Sequence, residues 1–244
     1  MRHAPDHRPW PRPRRPWLMA MQWHDLLFAH WPVDPAALRP HIAPPLELQT
    51  FDGRAWLAVV PFRMAGTRPR FLPATPLAGA FPELNVRTYV TAGGKPGVWF
   101  FSLDAASRLA VEAARLAFHL PYVHATMRCD PAGDGVRYAS RRRPGDPRPA
   151  AFAGGYRPTG PAYTAAAGSL EHWLTERYCL YAANRRGRVW RGEVDHGPWP
   201  LQPAEAEIAH NSMAAPLGLR LDGAPLLHFA RRIDVVAWGL ERVA

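Results

Sequence analysis

The chain has 244 residues, 48% of them hydrophobic, and a formal net charge of +10. That is enough apolar material for a sizeable core in one β-rich domain. No uncharged apolar run reaches the about 18 residues a membrane-spanning helix needs, so no membrane partner is expected. Two cysteines, Cys129 and Cys179, are too few for a disulfide framework or a four-cysteine zinc site.

The positive charge does not point to nucleic acid. Lys95 is the only lysine, so 29 of the 30 basic residues are arginines, and they are scattered among acids. Nucleic-acid binders cluster their charge along one face, so no nucleic-acid partner is expected. The default compartment is a reducing cytoplasm.

In chain order, residues 1–16 (MRHAPDHRPWPRPRRP) are dominated by proline and arginine. Such a segment buries little, so residues 1–18 are expected to form a disordered basic tail ahead of one domain over 19–244. Residues 21–31 read as a first strand, stopped by Pro32 and Asp34-Pro35, with one helical turn from Pro35 to Leu38. Residues 46–51 and 54–64 read as a hairpin through Asp52-Gly53, a dipeptide suited to positive φ at both turn positions. Residues 65–80, rich in Pro and Gly, are a candidate lid or rim loop. Strands follow at 82–91 and 97–103, joined by Gly93-Gly94-Lys95-Pro96.

A helix is expected over 105–117, with Asp104 as N-cap and Leu109, Ala113 and Leu116 on its buried stripe. Residues 119–129 and 135–142 form a second hairpin, with a further strand near 150–157. A helix over 169–176 starts at Ser169, strands near 177–183 and 188–195 follow, residues 197–204 bend, and 226–237 closes the fold. About ten strands with two or three peripheral helices give a mainly β (α+β) architecture. Short turns argue for antiparallel pairing, closed as a barrel or cone to hide the edges.

Strand alternation singles out two polar rows. In 82–90, Glu83, Asn85, Arg87 and Tyr89 share one face, beside the strand Val98-Trp-Phe-Phe-Ser-Leu103, which is apolar on both faces. An enclosed Glu/Arg pair is either a structural salt bridge or a site. In 120–128, Tyr122, His124, Thr126 and Arg128 share a face. His124 is a candidate general base, against the plainer reading of a core histidine bonded to backbone. Ser102 and Asp104 are read as caps, and Glu171, Arg177 and Tyr178 as packing and surface pairs. No metal-ligand motif, Gly-rich dinucleotide loop or Walker motif is present, so neither metal nor cofactor is expected.

Several segments together resemble a known family: WHDLLFAHWPV (23–33), FDGRAWLAVVPFRM (51–64), FPELNVRTYV (81–90), KPGVWFFSLDA (95–105) and AARLAFHLPY (113–122). They are similar to the YqjF-like family, a domain of unknown function in the acetoacetate decarboxylase-like superfamily. The resemblance covers roughly residues 20–240 and implies an antiparallel β-cone with helices outside. Decarboxylases of that superfamily use a buried lysine to form a Schiff base. The similar stretch here, from Arg115 to Val123, has Tyr122 and Val123 where the lysines would be, and Lys95 lies in a turn. Glu83 looks similar to an active-site glutamate of those enzymes. Superfamily members assemble into oligomers, so a homo-oligomer is admitted, although no interface stripe is visible.

The sequence therefore supports a small-molecule pocket without a Schiff-base lysine. One reading is a cofactor-free lyase or isomerase acting on a carbonyl or carboxylate compound. Glu83, Tyr122 and His124 would move protons, and Arg87, Asn85, Tyr89 and Arg115 would hold substrate. The other is a non-catalytic binder of a small hydrophobic acid.

Overall fold

The computed structural model describes residues 7–73, 79–107, 111–112, 119–184 and 186–243. Among them, twelve strands build one mixed sheet. They are β1 (Met19–Val33), β2 (Glu47–Leu48), β3 (Ala55–Pro69), β4 (Phe81–Ala92), β5 (Lys95–Ala105), β6 (Tyr122–Ala132), β7 (Gly135–Arg142), β8 (Ala151–Pro158), β9 (Cys179–Ala183), β10 (Val189–Asp195), β11 (Gln202–Asn211) and β12 (Leu226–Arg242). They pair in the order β10-β9-β5-β6-β7-β8-β11-β12-β1-β3-β4-β2, and further β4–β5 and β10–β12 pairings bring the sheet round on itself. The helices α1 (Pro35–Leu38) and α2 (Leu170–Thr175) are short. Ser169 caps α2 as expected, its hydroxyl accepting from the His172 amide.

The pairings define two routes from β5 to β12. One runs through β9 and β10, the other through β6, β7, β8 and β11. The layer β1–β3–β4 lies between the two and is buried on both faces. Leu57, Val59, Leu84 and Val86 pack with Tyr138, Phe152 and Tyr156 of β7 and β8. The alternate residues Ala58, Val60 and Phe62 pack with Phe28, Trp199 and Ile233. This explains why every residue of β4 from Glu83 to Val90 is buried, polar ones included.

β5 is the fork. Its first half pairs with β9 (Val98↔Leu180, Trp99↔Tyr181) and its second half with β6 (Leu103↔Tyr122, Asp104↔Val123, Ala105↔His124). Both pairings are parallel, so the sheet is mixed where short turns suggested antiparallel order throughout.

Other local expectations are corrected. The turn at Asp52-Gly53 forms with φ of 48° and 74°, but a single Phe51↔Arg54 bridge is its only ladder. β2 leaves β3 and pairs with β4. Residues 65–69, read as loop, continue β3 alongside β1, with Ala20 opposite Arg68; residues 74–78 lie outside the described residues. So does most of the helix expected over 105–117, including Leu109, Ala113, Arg115 and Leu116. Ala105 itself ends β5. Asp104 is no helix cap: the Arg142 guanidinium donates to both its oxygens at 2.8 Å, and to Ser102 Oγ at 2.7 Å. β11 was not anticipated at all.

Residues 7–18 are not a free tail. The Arg8 side chain is buried and bonds Glu193 at 2.9 Å and Asp195 at 3.0 Å. Trp10 Nε1 donates to Glu193 at 2.7 Å, and Arg12 reaches Asp195 at 2.9 Å. The Leu18 amide donates to the Ala237 carbonyl of β12. The cause lies in β10, where Glu193 and Asp195 are buried on one strand face and ionised carboxylates so placed need cations. No helix among the described residues is long and apolar enough to cross a membrane.

Candidate functional site

The face of β1–β3–β4 turned toward β9, β10 and β12 borders a cavity of about 460 Å3. Its walls are mainly apolar, with Met21, Trp23, Phe62, Phe100 and Trp199 among them. Trp23 and Trp199 stack with ring centroids 6.0 Å apart, and Phe62 meets Trp23 edge-on at 5.8 Å. Into this wall β4 sends Glu83, Asn85 and Arg87 in succession, as alternation predicted. A register shift between Val86 and Arg87 interrupts the ladder to β5 without removing Arg87 from the cavity.

Glu83 is held from both sides. Its backbone carbonyl accepts from the Tyr138 hydroxyl at 2.7 Å, a contact from the opposite layer. Its carboxyl Oε2 accepts from the Tyr122 hydroxyl at 3.1 Å. Tyr122 begins β6 beside Leu103, so the fork at β5 brings it to Glu83. Burial pushes the Glu83 carboxyl up to about 8, the Tyr122 bond opposes that, and the Asp104 charge adds to it. Burial and the Glu83 charge hold the Tyr122 phenol well above its ordinary value. Near neutral pH Glu83 is thus mostly a neutral acid, able to donate and recover a proton.

Arg87 does not pair with Glu83, and no described carboxylate forms an ion pair with it. Its guanidinium lies over Phe28 at 5.4 Å and over Tyr89 at 5.9 Å. Arg177, just before β9, lines the same cavity and lies over Tyr89 at 4.9 Å and Trp173 at 4.5 Å. It donates to the Trp173 carbonyl and to Gln49 Oε1, both at 2.7 Å. Burial pulls Arg177 down to about 10, with Arg87 adding to the fall, so it remains cationic at neutral pH.

Tyr89 therefore supports the two arginines from behind. It is outside the cavity lining, and its hydroxyl is bonded to His30 Nε2 at 2.7 Å. His124 lies half-buried on β6, outside the cavity lining, opposite Ala105. Thr126 and Arg128 beyond it are exposed, because β6 leaves the fork there to pair with β7. Arg115 lies outside the described residues. Arg177, His196, Trp23, Trp199 and Trp238 are cavity residues that the sequence reading missed. For Arg177 the available signal was a charge abutting the apolar strand CLYAA.

Lys95, the chain's only lysine, is outside the cavity lining and bonds Glu193 Oε1 at 2.9 Å. Among the described residues no group of three or more His, Cys, Asp and Glu is placed to hold a metal ion.

The family DUF2071, an uncharacterized conserved protein family, matches residues 20–234. The chain belongs to the DUF2071 family. Uncharacterized protein YqjF of Bacillus subtilis (strain 168) is 48% identical over 227 residues, 93% of each chain. DUF2071 thereby gains a structural setting, since solved structures resemble this fold at low identity. Acetoacetate decarboxylase from Legionella pneumophila has a TM-score of 0.64 at 13% identity, covering 98% of this chain and 94% of that one. The enduracididine biosynthesis enzyme MppR, complexed with pyruvate, has a TM-score of 0.65 at 12% identity over 94% and 91%. An acetoacetate decarboxylase-like enzyme from Sphingomonas wittichii RW1 scores 0.64 at 14% over 93% and 94%. At these identities the likeness shows an acetoacetate decarboxylase-like fold.

Proposed function

We propose that this DUF2071 protein is a cofactor-free acid–base enzyme acting on a carbonyl or carboxylate compound in the cavity. The observation that carries this reading is Glu83: buried in an apolar wall, unpaired with Arg87, bonded to Tyr122 and raised to about 8. An acid with a pKa near the working pH is suited to general acid–base catalysis. Glu83 moves the proton, Tyr122 stabilises its ionised form through the hydrogen bond, and Arg87 holds the anionic group of the substrate or a developing oxyanion. Without a lysine in the lining, the chemistry that fits is proton transfer next to a carbonyl, as in lyase or isomerase steps, rather than imine formation.

The test is to incubate the protein in D2O with a panel of keto acids and follow deuterium entry at carbons next to the carbonyl by NMR. Exchange above background that disappears in Glu83→Gln and falls in Tyr122→Phe supports the reading. Compounds that bind but exchange only at the background rate would make the cavity a binding site without catalysis.

A further inference from the structure

Six cavity-lining residues each keep a buried polar atom without a hydrogen-bond partner: Asn85 Oδ1, Arg87 Nε, Arg177 Nη2, Trp23 Nε1, Trp199 Nε1 and Thr67 Oγ1. Buried polar groups are nearly always bonded in native proteins, so each needs an explanation. Five of the six atoms can donate, and two belong to arginines that are only 8% and 6% exposed, Arg87 and Arg177. No described carboxylate balances either guanidinium. Glu193, the other acid in the lining, is already engaged by Arg8, Trp10 and Lys95. With Glu83 mostly neutral, the cavity is positive at the end where Tyr89 supports both arginines. Two buried like charges repel, and an anion beside them relieves both the repulsion and the missing bonds.

Size supplies a second constraint. The cavity of about 460 Å3 is many times the about 30 Å3 share of one water molecule. An acid of three or four carbons would leave most of that space, and most of the aromatic wall, without contact. The volume lies in the range of pockets that hold drug-sized ligands.

We infer that the ligand of this cavity is an organic monocarboxylic acid with a bulky apolar body, its carboxylate bound by Arg87 and Arg177 and its body packed against Trp23, Phe62 and Trp199. This deepens the proposed function by naming the substrate class, and rests on it only for the choice of cavity. Arg177 becomes a specificity residue: a second guanidinium selects a carboxylate over an uncharged isostere.

Binding is measured by tryptophan fluorescence and by thermal midpoint, neither of which needs turnover. The probes are 4-phenylbutyrate, its primary amide 4-phenylbutyramide, and pyruvate. The acid should raise the midpoint by mass action and quench fluorescence. The amide and pyruvate should each bind about tenfold or more weakly, the amide because it loses charge-assisted bonds. Arg87→Met and Arg177→Met should lose the preference for acid over amide. Amide and acid binding alike, pyruvate binding as well as 4-phenylbutyrate, no binding of any probe, or both variants behaving as the unaltered protein would each overturn the inference. If Arg177→Met does not fold, Arg87→Met and the three probes on the unaltered protein still decide it. Failed deuterium exchange with successful acid-selective binding overturns the catalytic reading alone.

Discussion

Burial of Glu83 couples the site to stability. Its carboxyl ionises at about 8 in the folded protein and near its ordinary 4.5 when unfolded. Between those values the folded state holds a proton that the unfolded state has lost, so stability is fully present below about 4.5 and falls as pH rises toward 8. The whole effect is on the order of a few kcal/mol. Glu83→Gln should flatten the decline of Tm between pH 5 and 8, and the variant should be the more stable protein at pH 8. An unchanged slope would place the titration elsewhere. The Glu83–Asn85–Arg87 row was legible because a strand repeats every two residues and an apolar neighbour marks it as enclosed. The same rule cannot separate Tyr122, which lines the cavity, from His124, which lies outside the lining, because alternation keeps both on one face but says nothing of how the surroundings of that face change two residues along. Arg177 escaped because it sits in an irregular segment whose partners, Gln49 and Tyr89, are distant in sequence.

Strand existence was mostly readable, and the misses have separable causes. β11, Gln202–Asn211, does alternate, with Ala204, Ala206 and Ile208 packed on the core and Glu205 and Glu207 outward. Alanine and glutamate are depleted in strands, so the pattern is faint. The fork at β5 was invisible because both parallel partners arrive through long-range pairing that no turn signals. The close approach of β8 to β11 is equally hidden in a Gly154-Gly155 dipeptide. A Cβ on Gly154 would lie 2.7 Å from the Glu207 carbonyl oxygen, whereas one on Gly155 would meet its nearest atom at 3.8 Å. Gly154→Ala should therefore cost about 1–3 kcal/mol by forcing the strands apart, and Gly155→Ala should be near neutral or stabilising. Urea denaturation midpoints separate the two; equal midpoints would mean that β11 yields freely.

Across the whole molecule, the segment read as a disordered basic tail ties into the wall of the cavity through residues 7 and 8. Arg8 bonds Glu193 and Asp195, and the His196 carbonyl accepts from the His7 ring at 2.8 Å; Glu193 and His196 also line the cavity. Removing one partner of a buried ion pair is costly because the other charge stays buried. Arg8→Met should destabilise by about 3 kcal/mol, and deletion of residues 1–18 by more, read as a lower thermal midpoint that added salt does not mimic. An unchanged midpoint would show that the segment contributes nothing to the fold. Lys95 shares Glu193 with Arg8, and its ammonium lies 5.2 Å over the Trp10 ring. Apart from the α-amino group, an acylating reagent finds one amine on this chain. Its rate of modification should rise several-fold in Arg8→Met, read by mass spectrometry. The native sequence thus carries its own single-site chemical gauge of whether that segment is docked.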